Sequence, residues 1–248
     1  MPTTSKIAVI NPNTTAAMTE TIARAARQTA QPTTEILELT SATGPVSIEG
    51  FYDEALSLPG LLEAIGRAER EAVTGHVIAC FDDTGLDAAR QLAAAPVVGI
   101  GEAGYHAACL VAGRFAVVTT TALSVTALEH NILRYGFERR CAGVRSANVP
   151  VLELENASHD AVEAVSREIA LAIEADRAEA IVLGCAGMAD LQKALAERFA
   201  CPIIDGVRAA VGLIEMLNQS GASTSRLGGY APRNAKAITG SLSGLGAR

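Results

Sequence analysis

Short apolar runs alternate along the chain with longer segments in which Ala, Leu and Ile recur every three or four positions. The runs predict strands at Lys6–Ile10, Glu35–Thr40, His76–Cys80, Val97–Ile100, Phe115–Thr119, Asn148–Glu153, Ala180–Gly184 and Ile203–Ile204. The longer segments predict helices over Thr14–Thr29, Leu58–Ala72, Leu86–Ala94, Glu102–Ala112, Ser124–Tyr135, Ser158–Asp176, Ala189–Phe199 and Val207–Leu217. Strands alternating with helices of this length predict an α/β fold with parallel sheets and crossover helices.

The pattern also repeats. Ile7-Ala-Val-Ile-Asn11 reads like Phe115-Ala-Val-Val-Thr119, 108 positions later. His76-Val-Ile-Ala-Cys80 reads like Ile181-Val-Leu-Gly-Cys185, 105 later, and Ala95-Pro-Val-Val-Gly99 like Cys201-Pro-Ile-Ile-Asp205, 106 later. Each match is weak, because Val/Ile runs are common in buried parallel strands. Three in one order at nearly one offset predict two related lobes. The first is expected within residues 1–100 and the second within 101–207, and one long helix follows the last matched strand. From Ser220 the chain becomes rich in Gly, Ser and Thr, and residues 233–248 are expected to form an irregular tail.

Composition narrows the function. Of 248 residues, 49% are apolar, enough for a sizeable core; aromatics are 4% and Trp is absent, so no stacking platform for single-stranded nucleic acid is expected. The net charge of −7 and the scattered arginines leave no basic stripe for a phosphate backbone. No stretch is long and apolar enough to span a membrane, and Met1–Lys6 shows no signal-peptide pattern, so a cytoplasmic location is expected. Five cysteines without a CxxC pair argue for reduced thiols and against zinc.

Two of those cysteines, Cys80 and Cys185, hold the same place in the two halves, where an apolar strand gives way to a small or polar turn. A free cysteine is usually a small buried hydrophobe. The matched placement favours chemistry instead, because ligands bind at the carboxyl ends of parallel strands. Helix-start amides there are expected to lower a thiol pKa. Two lobes facing across a cleft would set one thiol on each side of a carbon acid, so that one takes a proton while the other returns one. Cys109, Cys141 and Cys201 keep the packing reading, with Cys141 expected in a loop.

At these residues the chain resembles the hydantoin branch of the aspartate/glutamate/hydantoin racemase superfamily. The resemblance is carried by Ile10-Asn-Pro-Asn-Thr14 with Met18-Thr19, Ala79-Cys-Phe-Asp-Asp-Thr-Gly-Leu-Asp-Ala-Ala-Arg90 and Gly99-Ile-Gly-Glu-Ala103. Val117-Val-Thr-Thr120, Leu128-Glu-His-Asn131 and Leu183-Gly-Cys-Ala-Gly-Met188 extend it to nearly the whole chain. It implies a cofactor-independent racemase with Cys80 and Cys185 as the catalytic pair, and two Rossmann-like lobes around the site, residues 1–100 with 208–232 and residues 101–207, the final helix returning to the first lobe. The glutamate-racemase branch places Asn-Thr and Thr-His after the two cysteines, where this chain has Phe81-Asp82 and Ala186-Gly187. The groups that would clamp an amino acid's charges are therefore changed, and a neutral 5-substituted hydantoin is the expected substrate. Allantoin is the nearest alternative. An amino-acid racemase, maleate isomerase or arylmalonate decarboxylase of the same superfamily is a further one, and a two-lobed binding protein is the non-enzymatic one. Self-association into a homo-oligomer is also expected.

Further contacts to a ring are expected from Asn13, Phe81, Asp82, Thr119, Thr120, Ala186 and Gly187. Asn13 and the threonines also suit helix capping. Gly99-Ile-Gly101-Glu-Ala-Gly104 matches GxGxxG, but no acidic residue ends the following strand, so a tight strand-to-helix turn explains the glycines better than a dinucleotide. Asp83 reads as a helix N-terminal acid, Asp82 as that or a modulator of Cys80. The four histidines show no metal spacing.

Overall fold

A computed structural model describes residues 5–156 and 158–245. Its first half holds β1 (Ser5–Asn11), α1 (Ala16–Thr29), β2 (Thr34–Thr40), α2 (Phe51–Arg70), β3 (Gly75–Ile78), α3 (Leu86–Leu92), β4 (Val97–Gly99) and α4 (Ile100–Val111). The second half holds β5 (Phe115–Thr119), α5 (Ala122–Arg134), β6 (Cys141–Ser146), α6 (His159–Glu174), β7 (Ala180–Leu183), α7 (Gln192–Arg198), β8 (Ile203–Asp205) and α8 (Gly206–Ser220). The strands form two parallel four-stranded sheets, ordered β2-β1-β3-β4 and β6-β5-β7-β8. The order is the same in both, with β1, β3 and β4 matched by β5, β7 and β8, the three pairs that repeat in the sequence.

Side chains alternate across each sheet, and the alternation divides the core. Ile7, Val9 and Val77 share one buried cluster with Phe115, Val117, Ala180 and Val182 and with residues of α1, α4 and α8. Ala8, Ile10 and Ile78 point the other way, into Leu61, Ala64 and Ile65 of α2. Ala116, Val118, Ile181 and Leu183 pack on Val165 and Ile169 of α6. The two sheets thus share their inner core, while each outer face has its own helices. A fully buried Ile contributes roughly 2–3 kcal/mol.

α8 leaves the second sheet and packs on the first. A Cβ on Gly75 would lie 2.3 Å from the Ile214 side chain, so the helix and β3 touch closely. Glu215 of α8 accepts from the Gln31 amide at 2.8 Å and the Thr34 hydroxyl at 2.7 Å, fixing the turn before β2. Beyond it, Tyr230 donates to Asp87 at 2.8 Å, and a 3-10 turn at Gly240–Leu245 lies over α2.

Three expected elements differ. Asn148–Glu153 is not a strand; the edge strand is Cys141–Ser146, and a 3-10 turn occupies Val151–Asn156. The run at 148–153 is apolar because Val149, Val151 and Leu154 plug into buried clusters from an irregular segment. Cys141 is therefore a strand residue, not a loop residue. α2 begins at Phe51, seven residues before the predicted start, on the far side of Pro59. Its first turn exposes Phe51 and Tyr52 and shows no amphipathic stripe. The segment expected as a helix from Ala189 opens as a 3-10 turn over Ala186–Leu191 and becomes α-helical at Gln192.

Among the described residues no helix is long and apolar enough to cross a membrane, and no group of three His, Cys, Asp or Glu is placed to hold a metal ion.

Candidate active site

In each sheet the chain runs outward from the first strand to one side, then crosses to the other. The reversal leaves a crevice at the carboxyl ends of β1 and β3, and of β5 and β7. One pocket lies there, a cavity of about 30 Å³ that opens partly to solvent. Asn11, Asn13, Cys80, Phe81 and Asp82 line it from the first lobe, and Thr120, Ser124, Gly184, Cys185 and Ala186 from the second. Met18, Ile48 and Val151 close its apolar side. Among the described residues that line it there is no Lys, Arg or His.

Cys80 and Cys185 each stand two residues past the end of their strand, β3 and β7, and both thiols face this pocket. Cys80 enters a tight turn. Its carbonyl accepts from the Asp83 amide at 3.0 Å, and Asp83 and Gly85 adopt positive φ of 52° and 69° before α3 begins. The Cys185 carbonyl accepts from the Met188 amide at 3.1 Å, at the start of the 3-10 turn.

These turns do not lower the thiol pKa values, as helix starts were expected to do. Burial raises Cys80 well above the ordinary thiol range, and the nearby Asp82 raises it further. The Thr84 hydroxyl, donating to Cys80 Sγ at 3.4 Å, and the Asp82 amide pull it partly back. Burial pushes Cys185 up to about 12 against the Gly187 and Met188 amides. Removing a thiolate from water outweighs two or three donors here.

Carboxyl groups stand near both thiols: Asp82 and Glu54 near Cys80, Asp82 and Glu49 near Cys185. Asp82 is 8% exposed, with its carbonyl held by Asn131 Nδ2 at 2.7 Å and Oδ2 facing Ser124 Oγ at 3.5 Å. Burial, then the neighbouring Glu54 and Asp83, raise it to about 8. Glu54, in the first turn of α2, is raised by its own burial. Asp83 caps a helix, but not the one that follows it. Its Oδ1 and Oδ2 accept from the Gly101 and Glu102 amides at 2.9 and 2.7 Å, at the start of α4, and Tyr135 Oη donates to Oδ2 at 3.0 Å. Burial still raises Asp83 to about 7.

Of the residues expected from the sequence, Cys80, Cys185, Asn13, Phe81, Asp82, Thr120 and Ala186 line one pocket. Asn13 Oδ1 accepts from Asn11 Nδ2 at 2.8 Å and from the Thr15 amide at 2.9 Å. Its Nδ2 meets only the weak acceptor Met18 Sδ, at 3.2 Å, and remains a donor for a ligand carbonyl. Thr119 and Gly187 are not in the wall. Thr119 turns inward and donates to the Gly184 carbonyl at 2.9 Å, holding the turn that carries Cys185. Gly187 contributes its amide to Cys185 from behind. Sequence reasoning missed Asn11, Ser124, Ile48, Val151 and Glu54. Asn11 ends a repeated strand inside the Asn-Pro-Asn motif and Ser124 stands one helical turn from the threonine run, signals that were available; the others come from segments without a readable pattern.

The fold is a two-lobed α/β one with a crevice at its strand ends, and the protein is an enzyme. It is an isomerase: the chain belongs to the Asp/Glu/Hydantoin racemase family, whose profile matches residues 7–214. It is 42% identical to a hydantoin racemase of Pseudomonas sp. (strain NS671) over 97% of both chains. A hydantoin racemase of Rhizobium meliloti is 43% identical over 94% of this chain and 97% of its own. Among solved structures, an allantoin racemase from Klebsiella pneumoniae superposes with a TM-score of 0.95 at 46% identity, covering 98% of this chain and all of its own.

Proposed function

We propose that the protein racemises 5-substituted hydantoins at C5, using Cys80 and Cys185 as two bases on opposite faces of the ring. The observation that carries this reading is the pair of thiols at equivalent strand ends, lining one pocket whose described wall residues include no Lys, Arg or His. Such a pocket has no cation for an amino acid's carboxylate, and suits a neutral ring. C5–H lies beside a ring carbonyl, so its loss gives an enolate without an electron-sink cofactor. One cysteine, as thiolate, takes the C5 proton; the other, as thiol, gives its proton to the opposite face. After turnover the two protonation states are exchanged, which readies the site for the other hand. Asn13 Nδ2 is the donor for a ring carbonyl or for the enolate oxygen.

Burial raises both thiols, so a thiolate is costly to form at either. Forming the thiolate is therefore part of the barrier, and the rate rises with pH through the neutral to alkaline range.

Allantoin, a hydantoin with a ureido group at C5, is the second reading, favoured by the likeness to the Klebsiella allantoin racemase. Single enantiomers of a 5-alkylhydantoin and of allantoin, incubated in D₂O with the protein, separate the two. Loss of optical rotation together with deuterium entry at C5, both above the blank, is expected for the preferred substrate. No rotation change above the blank with either compound overturns the racemase reading.

A further inference from the structure

One acidic side chain beside this site has no part in the two-thiol chemistry. Glu54 sits on the first turn of α2, and its Oε1 is buried with no donor within reach. What it does meet is the carboxyl of Asp82, within hydrogen-bonding reach. Two buried carboxyl groups in contact cannot both be ionised at neutral pH; one proton between them satisfies both.

The surroundings decide where that proton stays. Asp82 lines the pocket from the turn that carries Cys80, and the Cys80, Cys185 and Asp83 groups near it are neutral or negative. From α5 it meets only the neutral Ser124 and Asn131, and His130 of that helix is stacked on Phe51 instead. From α4 the neutral Tyr105 phenol feels it only through space. Glu54 is half-buried and outside the pocket wall, so a charge costs less there.

We propose that Glu54 is the positioning residue for Asp82: it accepts the Asp82 carboxyl proton, so that a neutral acid, not a charge, faces the two thiols and offers its other oxygen to a ring N–H of a bound cyclic ureide. The pair keeps the site's negative charge one side chain behind the wall. A thiolate at Cys80 then meets the weaker push of Glu54 in place of the stronger one of an ionised Asp82. This rests on the hydantoin reading for the ligand, but not for the proton.

Three variants and one spectrum test it. Asp82→Asn reproduces the proposed state, since its NH₂ can donate to Glu54 while its carbonyl faces the ring; it is expected to keep activity within about tenfold of the parent. Glu54→Gln offers an amide donor to Asp82 and so favours the ionised Asp82. It is expected to lose about tenfold or more in kcat/KM between pH 7 and 8, and to slow alkylation of Cys80. Glu54→Gln combined with Asp82→Asn is neutral again and should return to the Asp82→Asn level. An Asp82→Asn variant as impaired as Glu54→Gln, with no recovery in the pair, overturns the proposal. The spectrum needs no substrate: ¹³C-carboxyl NMR of the unliganded protein should show an Asp titrating near pH 8 that moves to the acid side in Glu54→Gln. Absence of that resonance overturns the shared proton even in an active racemase. Its presence in a protein inert to hydantoins upholds the shared proton and sinks only the ligand.

Discussion

Gly99 leaves the room that the Asp83 carboxylate occupies: a Cβ on Gly99 would lie 2.0 Å from Asp83 Oδ1. Gly101 does the same at 2.8 Å from Oδ2, and also clears the Phe81 carbonyl. These glycines let the turn that carries Cys80 seat its acid on the amides opening α4. Gly99→Ala is expected to cost about 1–3 kcal/mol of stability by overpacking. It should also displace the Cys80 turn, so that activity falls further than stability does. Urea melts and racemisation rates on the same preparation check both.

That relationship was only half legible in the sequence. The GxGxxG pattern was visible, and its reading as a strand-to-helix turn agrees with the position of Gly99–Gly101 between β4 and α4. The reason for the glycines was not, because it lies 16 to 18 positions upstream in Asp83. The strands repeated between the halves were readable, since burial on both faces leaves few residue types to choose from. The edge strand β6 was not: its residues are all partly exposed, and its Cys-Ala-Gly-Val-Arg-Ser carries no apolar run. Glu54 escaped for a related reason. Its helical turn is solvent-facing on the side that shows Phe51 and Tyr52, so no stripe announces it.

Stability should fall as the pH rises from about 4 to about 8. Asp82 and Asp83 have folded-state values raised to about 8 and about 7, against 3.8 for an exposed Asp. Through this window the folded chain holds protons that the unfolded chain has released, so raising the pH favours unfolding. Below about 4 both states are protonated and this dependence vanishes. Glu69, lowered by its His76 partner, acts in the opposite sense, but only as pH falls through the acid range. Urea melts at pH 5 and 8.5 should differ by about 1 kcal/mol or more from this cause, and by less in Asp82→Asn.

Replacing either thiol should stop racemisation. Cys80→Ser and Cys185→Ser are each expected to lose about a thousandfold or more, because a serine hydroxyl is a far weaker base. The two should differ in D₂O: a variant that keeps one working base can still exchange the C5 hydrogen of one enantiomer without inverting it. Full activity in either variant rejects the paired-base assignment.

Thr84 offers a subtler probe. Its hydroxyl donates to Cys80 Sγ at 3.4 Å and helps the thiolate against burial. Thr84→Val should raise the Cys80 pKa, slowing its alkylation by iodoacetamide several-fold at pH 8 while leaving Cys185 unaffected. Peptide mapping after timed labelling reads the two cysteines separately. Equal slowing at both would point to a general loosening of the site instead.

The two thiols are not equivalent in detail. Cys80 has a hydroxyl and a proton-sharing acid pair for neighbours, and Cys185 has two backbone amides. For mirror-image substrates, however, the equilibrium constant is one. The Haldane relation then forces kcat/KM to be the same for the two hands, whatever the imbalance between the lobes. The asymmetry can appear only as compensating differences in kcat and KM, with the hand that binds more tightly turning over more slowly. A small divergence between the two halves of the chain is thus invisible to the overall efficiency ratio, and free to set how the enzyme partitions between its two loaded states.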